Sequence, residues 1–263
     1  MKSLKIPMTI EEFETAEFPF GWKDEYCDGF AYLTPREHGI LMKIPVEKRR
    51  VANVAVIKPI DSASVGQLSE LFYAAFVESV EFCDYTKSEI KRLARKNVKS
   101  FFDGKRGIPA LELSRVAILP RAENSLVGAC LVSRYKYGYK NEILFVRPEM
   151  QKNGVGTALV AAVMNDLSDA DEKIFWSERH ICNEASGAWH EKFGFVEEPD
   201  IMTAKFRRNY LRRKLWHHEK LANTEKTKEI KLLLWRAEIE VERLQAIEEV
   251  DFGAAWLAWK YDF

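Results

Sequence analysis

The sequence predicts an α+β protein built in α/β-type layers, and three observations carry that prediction. β-rich runs alternate with stretches that are apolar at helical spacing. One strand ends at a proline and leads through a glycine-containing loop into an apolar-periodic helix. Hydrophobic residues make up 47% of the 263 positions, enough to bury a sizeable core.

The elements divide the chain into three segments. Residues 1–50 hold a short helical start at Thr9-Ile10-Glu11-Glu12-Phe13, where Thr9 and Glu12 have capping-box spacing. A hairpin follows, Tyr26 to Phe30 and Ala31 to Thr34, around the tight-turn dipeptide Asp28-Gly29. The phrases MTIEEFE, GWKDEYCDG and LTPREHG faintly resemble the opening of Uma2-type restriction-endonuclease-like proteins. The later acidic and lysine residues of that nuclease family have no counterpart here, so the hairpin is expected to be structural.

Residues 51–200 alternate strand and helix. Val51 to Ile57 is β-rich; Val65 to Phe82 is apolar at Leu68, Leu71, Phe72, Ala75, Phe76 and Val80; Ser88 to Phe102 continues as a basic helix. Leu111 to Leu119 and Ser125 to Tyr135 read as strands separated by Pro120 and the turn-prone Glu123-Asn124. Glu142 to Val146 is a strand, Gly156 to Asp166 a helix, Ile174 to Ser177 a strand and Ser186 to Phe193 a helix.

Residues 201–263 are charged and helical. Ile230, Leu234, Ala237, Val241 and Leu244 form a short heptad seam expected to pack on the chain's own core, with a homodimer contact as the second reading. Leu232, Trp235 and Ile239 make a second stripe, so both faces of the helix are expected to be covered. Trp256, Trp259, Tyr261 and Phe263 are expected to dock on protein as well.

Composition excludes several function classes. Lys+Arg and Asp+Glu both number 40, a balance unlike that of a nucleic-acid binder. No apolar run approaches the ~18 residues of a membrane span, and the N-terminus lacks a signal peptide's apolar core. Cys27, Cys83, Cys130 and Cys182 are scattered, with no Cys/His spacing of a zinc site, so reduced thiols, a cytoplasmic setting and no metal are expected.

The chemistry concentrates at Glu142-Ile-Leu-Phe145-Val146-Arg-Pro148-Glu-Met-Gln151-Lys152-Asn153-Gly154-Val155-Gly156-Thr157. Glycines allow close approach of backbone to ligand. The first N–H groups of the following helix lack intrahelical partners and, with the helix dipole, suit a phosphate or pyrophosphate. A P-loop would need GxxxxGK[ST], which is absent. A dinucleotide fingerprint would need a third glycine where Leu159 stands.

This stretch resembles the GCN5-related N-acetyltransferase (GNAT) superfamily, whose signature Q/R-x-x-G-x-G/A is matched by Gln151, Gly154 and Gly156. A second block agrees: Asn183, then Lys192-Phe193-Gly194-Phe195-Val196-Glu197. The resemblance covers about residues 52–200 and implies a mixed, mostly antiparallel sheet flanked by helices. It implies acetyl-CoA as co-substrate, lying in a V between strands 142–146 and 174–177. Backbone near Phe145 and Val146 would hold the pantetheine, the amides of Gln151, Lys152, Asn153, Gly154, Val155, Gly156 and Thr157 the pyrophosphate, and Asn183 would hydrogen-bond the pantetheine.

The implied reaction is attack of a primary amine on the thioester. Glu142, four residues before Val146 and by alternation on the same face, is the candidate general base. The Val146 N–H is a candidate oxyanion donor. His190 stands where the family most often has its tyrosine acid; Tyr135, Tyr137 and Tyr139 are reserves, and His180 is expected to be structural. Acceptor choice would lie in residues 76–110, where Glu78, Glu81, Asp84 and Asp103 could attract a cationic amine. The alternative is a non-catalytic acyl-CoA-binding or interaction module on the same scaffold.

Overall fold

Alternation and capping set most elements of the computed structural model, which describes residues 4–119 and 125–261. In chain order they begin with β1 (Leu4–Pro7), α1 (Ile10–Thr15), β2 (Trp22–Cys27), β3 (Phe30–Pro35), β4 (Gly39–Pro45) and β5 (Val56–Pro59). Next come α2 (Val65–Phe76), α3 (Lys87–Phe102), β6 (Ile108–Pro109), β7 (Arg115–Leu119), β8 (Ser125–Tyr135) and β9 (Gly138–Val146). The chain closes with α4 (Val155–Asp169), β10 (Ile174–His180), α5 (Glu184–Phe193), β11 (Val196–Glu197), α6 (Ile201–Lys220) and α7 (Thr224–Tyr261).

The elements sort into two compact units, one of the segments up to His38 and from Glu198 on, the other of Gly39–Glu197. In the first, Thr9 caps α1 reciprocally with Glu12. Asp28 (φ +49°) and Gly29 (φ +77°) form the two-residue turn that pairs Cys27 with Phe30 and joins β2 to β3. With β1 on the other side of β3, the order is β1-β3-β2, all antiparallel. Along α7, Ile230, Ala237, Val241 and Leu244 are buried, and they pack with Ile201, Ala204 and Leu211 of α6. The second stripe differs from expectation: Leu232, Trp235 and Ile239 are 50%, 59% and 44% exposed. The α6 hairpin partner covers only one face of a cylinder, leaving the opposite stripe open. The aromatic positions 256, 259, 261 and 263 and the turn at 123–124 lie outside the residues whose side chains are described.

In the second unit the described residues form an eight-stranded sheet, ordered β11-β4-β10-β9-β8-β7-β5 with β6 beside β8. Every pairing is antiparallel except β9–β10. β4 was not anticipated, yet Ile40, Met42 and Ile44 are buried at 0–2% in strict alternation, the signature of a half-buried strand. One helix expected from periodicity is trimmed. The apolar run from Val65 ends as α2 at Phe76 and resumes as a 3-10 turn at Val80–Phe82.

Capping boxes start both helices of the α2–α3 layer, Ser64 with Gln67 and Thr86 with Glu89, each contributing ~1 kcal/mol. Leu68, Leu71 and Phe72 of α2 and Ala94, Val98 and Phe101 of α3 meet Val116, Ala129, Leu131, Ile143 and Phe145 from the sheet. On the other face lies α4, buried at Val155, Ala158, Leu159, Val160, Val163 and Met164. Its first turn sits directly on β8 because Gly128 has no side chain; a Cβ there would lie 2.9 Å from Leu159 Cδ1 and 3.0 Å from Val155 Cγ1. Among the described residues no helix is long and apolar enough to cross a membrane.

Candidate active site

The site begins with one extra residue in β9. Leu131 pairs with Ile143 but Val132 pairs with Asn141, so Glu142 is a bulge. Asn141 faces the α5 side, where its amide donates to Ser177 Oγ at 3.2 Å. Leu144 and Val146 lie 3.7 Å from the Gly156 Cβ position on the α4 side, whereas Ile143 and Phe145 enter the α2–α3 core. Glu142 joins the latter side, linked through Arg106 to Asn97 of α3. Strand alternation had put it on the face of Val146; the bulge reverses that.

The same place is where the sheet splits. β9 and β10 pair only over Phe175↔Tyr139, Trp176↔Lys140 and Ser177↔Asn141. Beyond this, β9 stays with β8, ending at Gly128↔Val146, and β10 stays with β4, ending at His180↔Gly39. The V therefore lies between 142–146 and 178–180, further along β10 than the strand 174–177 expected to line it. Arg147 N donates to Val127 O on the β8 side, so by backbone alternation the Val146 N–H and C=O point into the V. The Val146 carbonyl accepts from Gln151 Nε2 at 3.1 Å, leaving its N–H on that edge.

The loop at the mouth of the V leads into the N-terminus of α4. Lys152 (φ +61°) and Gly154 (φ +84°) turn the chain, and Gly154 is the N-cap with no side-chain capping bond. The helix ladder starts with Ala158 N to Gly154 O, so the N–H groups of Val155, Gly156 and Thr157 have no helical acceptor. Gln151, Lys152, Asn153 and Thr157 are exposed, and Val155 is buried as the anchor. The dipole of a 15-residue helix adds positive potential there, which suits a pyrophosphate.

Glu142 is buried, its side chain 7% exposed. Tyr135 OH donates to Oε2 at 2.8 Å, Arg106 Nη1 reaches Oε1 at 3.3 Å, and Lys140 Nζ stands 3.4 Å from Oε2. Three donors on a carboxylate with about four lone-pair positions leave room for one more proton donor. Lys140 also donates to Glu178 Oε2 at 2.9 Å, across the last paired rungs of β9 and β10. Burial and these two carboxylates perturb Lys140, and the carboxylates win, raising its pKa. Burial first, then the hydrogen bond to Glu142, pushes the Tyr135 phenol up to about 12. Tyr135 thus keeps its proton at neutral pH, and Tyr137 stacks on its ring at 5.3 Å.

Two expected roles meet different surroundings. His190 is 3% exposed. Its Nε2 lies 2.8 Å from Ser177 Oγ, its Nδ1 2.7 Å from Ser186 O, and its ring packs on Trp189 and Phe195. Burial lowers its pKa to about 4, against the partial pull of the Ser186 carbonyl. A neutral imidazole carries one N–H, and here the Ser186 carbonyl and Ser177 hydroxyl hold both ring nitrogens inside the protein, so the residue expected to be the acid has the surroundings of a core histidine. Its spacing on the helix, three residues before the buried Phe193, could have shown this. Asn183 caps α5, accepting from Ser186 N at 2.9 Å, while its Nδ2 donates to Glu81 Oε1 at 2.6 Å. Both ends of the side chain expected to hold pantetheine are thus engaged. Arg106 and Lys140 were not singled out beforehand; only the fold brings Arg106 from the loop after α3 to a strand 36 positions on.

These features, a sheet split at a bulge and an uncapped glycine turn opening α4, define a fold of the GNAT type. Residues 114–197 match the family model described as acetyltransferase (GNAT) domain, so this part of the chain belongs to the GNAT superfamily. The match spans β7 through β11 and includes both the loop and Asn183. No curated protein matches the sequence. Among solved structures, a functionally unknown conserved protein from Staphylococcus epidermidis is similar at 16% identity and a TM-score of 0.45, over 61% of this chain and 57% of that one. A GCN5-related N-acetyltransferase from Sphaerobacter thermophilus is similar at 12% identity and a TM-score of 0.42, over 75% of this chain and 57% of that one. A Corynebacterium glutamicum protein described as histone acetyltransferase HPA2 and related acetyltransferase shows 13% identity and a TM-score of 0.40, over 54% and 84%. The chain thus spans about 57% of the length of the first two.

Proposed function

We propose that the protein is a cytoplasmic, acetyl-CoA-dependent N-acetyltransferase acting on a primary amine by direct attack on the thioester. The observation that supports this best is the pairing of the split at Glu142 with the unpartnered α4 amides at Val155–Thr157. Acetyl-CoA, as co-substrate, supplies the activated acyl group. The loop Gln151–Thr157 receives its pyrophosphate, and the Val146 N–H, aimed into the V, donates to the developing oxyanion. Phe145 stays in the core, so its contribution to holding the pantetheine is through backbone.

Glu142 is the base. Its remaining acceptor position takes the proton of the amine or of an intervening water. Arg106, Lys140 and Tyr135 fix the carboxylate's orientation. Tyr135 passes its proton to the departing thiolate in place of His190 and is reprotonated by the amine's proton through Glu142, to which it is hydrogen-bonded.

The engaged Asn183 and the buried His190 favour a second reading, a non-catalytic acyl-CoA-binding or interaction module. Calorimetry with CoA, together with thiol release from acetyl-CoA over an amine panel, separates the two. Turnover on any amine supports the enzyme; tight binding without turnover on any amine supports the module; absence of CoA binding refutes both. Homodimer formation through the exposed Leu232, Trp235 and Ile239 stripe is part of the proposal and is read from sedimentation.

A further inference from the structure

We propose that Glu17, His217 and His218 bind a divalent transition-metal ion, Zn2+ in the first place, at the C-terminal end of α6. Their ligand atoms all lie within 4.8 Å of one another. His218 Nε2 is 3.0 Å and His217 Nε2 3.8 Å from Glu17 Oε1. Zn–N and Zn–O bonds of ~2.0–2.2 Å place tetrahedral ligand atoms roughly 3.3–3.6 Å apart, so small χ rotations of the two rings close the set.

Consecutive residues on a helix point about 100° apart, yet these two rings converge, with centroids at 4.9 Å and planes at 76°. Both are buried, His217 5% and His218 4% exposed. His217 Nδ1 and His218 Nδ1 have no hydrogen-bond partner, and His218 Nε2 meets Glu17 Oε1 at ion-pair distance without forming a hydrogen bond. Buried ring nitrogens are nearly always satisfied, and two imidazoles with nitrogens left without a hydrogen bond beside a carboxylate have the make-up of an unfilled ligand set.

The donor chemistry selects the ion. Two imidazoles and one carboxylate suit the borderline cations at the Zn2+ end of the series, whereas Mg2+ and Ca2+ ask for all-oxygen shells. Access is provided from one side. The Glu17 side chain is 43% exposed, and Glu17 and His217 line a cavity of about 200 Å³, which admits a water as fourth ligand. Lys214 Nζ lies 3.3 Å from Glu17 Oε2, which holds the second oxygen and turns Oε1 toward the imidazoles. The ion would clamp the segment between α1 and β2 to the end of α6.

The test uses the full chain, stripped with chelator and titrated with Co2+, the spectroscopic stand-in for Zn2+. Uptake of one equivalent with the intense visible bands of a four- or five-coordinate ion is expected, followed by displacement by Zn2+ and a rise in Tm on Zn2+ addition. Glu17→Gln, at the exposed ligand, should weaken Co2+ binding at least 10-fold while leaving the chain folded. His218→Asn should abolish the bands. Failure of the full chain to take up either ion overturns the proposal, as does uptake that both variants leave unchanged.

Discussion

Gly128→Ala tests whether packing on β8 is what places the phosphate-binding amides. The added methyl would meet Leu159 Cδ1 at 2.9 Å, Val155 Cγ1 at 3.0 Å and Ala117 Cβ at 3.5 Å. Leu159 and Val155 are 0% and 1% exposed, so neither can swing into solvent. The leucine methyl is the end of a flexible side chain, whereas the valine methyl is tied to one χ1 rotamer at the first residue of α4. Overpacking of this kind costs ~1–3 kcal/mol, or about 2–12 °C in Tm at the ~2–4 °C per kcal/mol expected for a unit of this size. Because Val155 must move for the methyl to fit, the amides of Val155–Thr157 move with it, and CoA affinity should fall by roughly 10-fold, about 1.4 kcal/mol. Leu159→Ala in the same chain opens space on only one side, so it should recover part of the Tm and little of the affinity. Scanning calorimetry and CoA titration read the two effects separately. An unchanged Tm would refute the packing argument, and a lowered Tm with wild-type CoA affinity would refute the link from β8 to the loop.

Glu142→Gln should reduce turnover ~10²–10⁴-fold with CoA affinity unchanged, and should lower Tm as well, because Arg106 and Lys140 lose a carboxylate partner; steady-state kinetics and CoA titration check this. Gly154→Ala forces a φ of +84° on a residue with a Cβ, at ~1–2 kcal/mol, and a weakened CoA complex seen in the same titration is the expected result. His190 predicts an acid-sensitive stability. Its folded pKa of about 4 lies below the ordinary 6.5, so the unfolded chain binds the extra proton. The stabilisation is therefore full above pH 6.5 and lost as pH falls toward 4, on the order of 3 kcal/mol. Urea midpoints measured over that window should slope less in His190→Gln, while the pH–rate profile above pH 6.5 keeps its shape; an altered alkaline limb would restore His190 as the acid.

The block from Asn183 to Glu197 was legible in the sequence through its resemblance to the GNAT pattern, and the loop Gln151–Thr157 because backbone chemistry at a strand–loop–helix junction needs glycines in fixed places. The hairpin at Asp28-Gly29 and the capping box at Thr9 were legible for the same local reason. β4 was legible in principle, since Ile40, Met42 and Ile44 alternate. It went unread because a seven-residue run beside a hairpin carries no mark of the sheet it joins. The orientation of Glu142 could not be read at all. Strand alternation assigns faces only while the register holds, and a bulge is set by the pairing of β8 with β9.

Sequence alone therefore determined the layer type, the glycine loop and the helix that follows it, all products of chain-local geometry and periodicity. Tertiary structure alone decided which side chains meet. It set Arg106, Tyr135 and Lys140 around Glu142, buried His190 between α5 and β10, and carried Glu17 to His217 and His218. Arg106 and Glu142, and Glu17 and the two histidines, are far apart along the chain, and even the nearer contacts depend on strand register and the packing of whole elements, which no local pattern encodes.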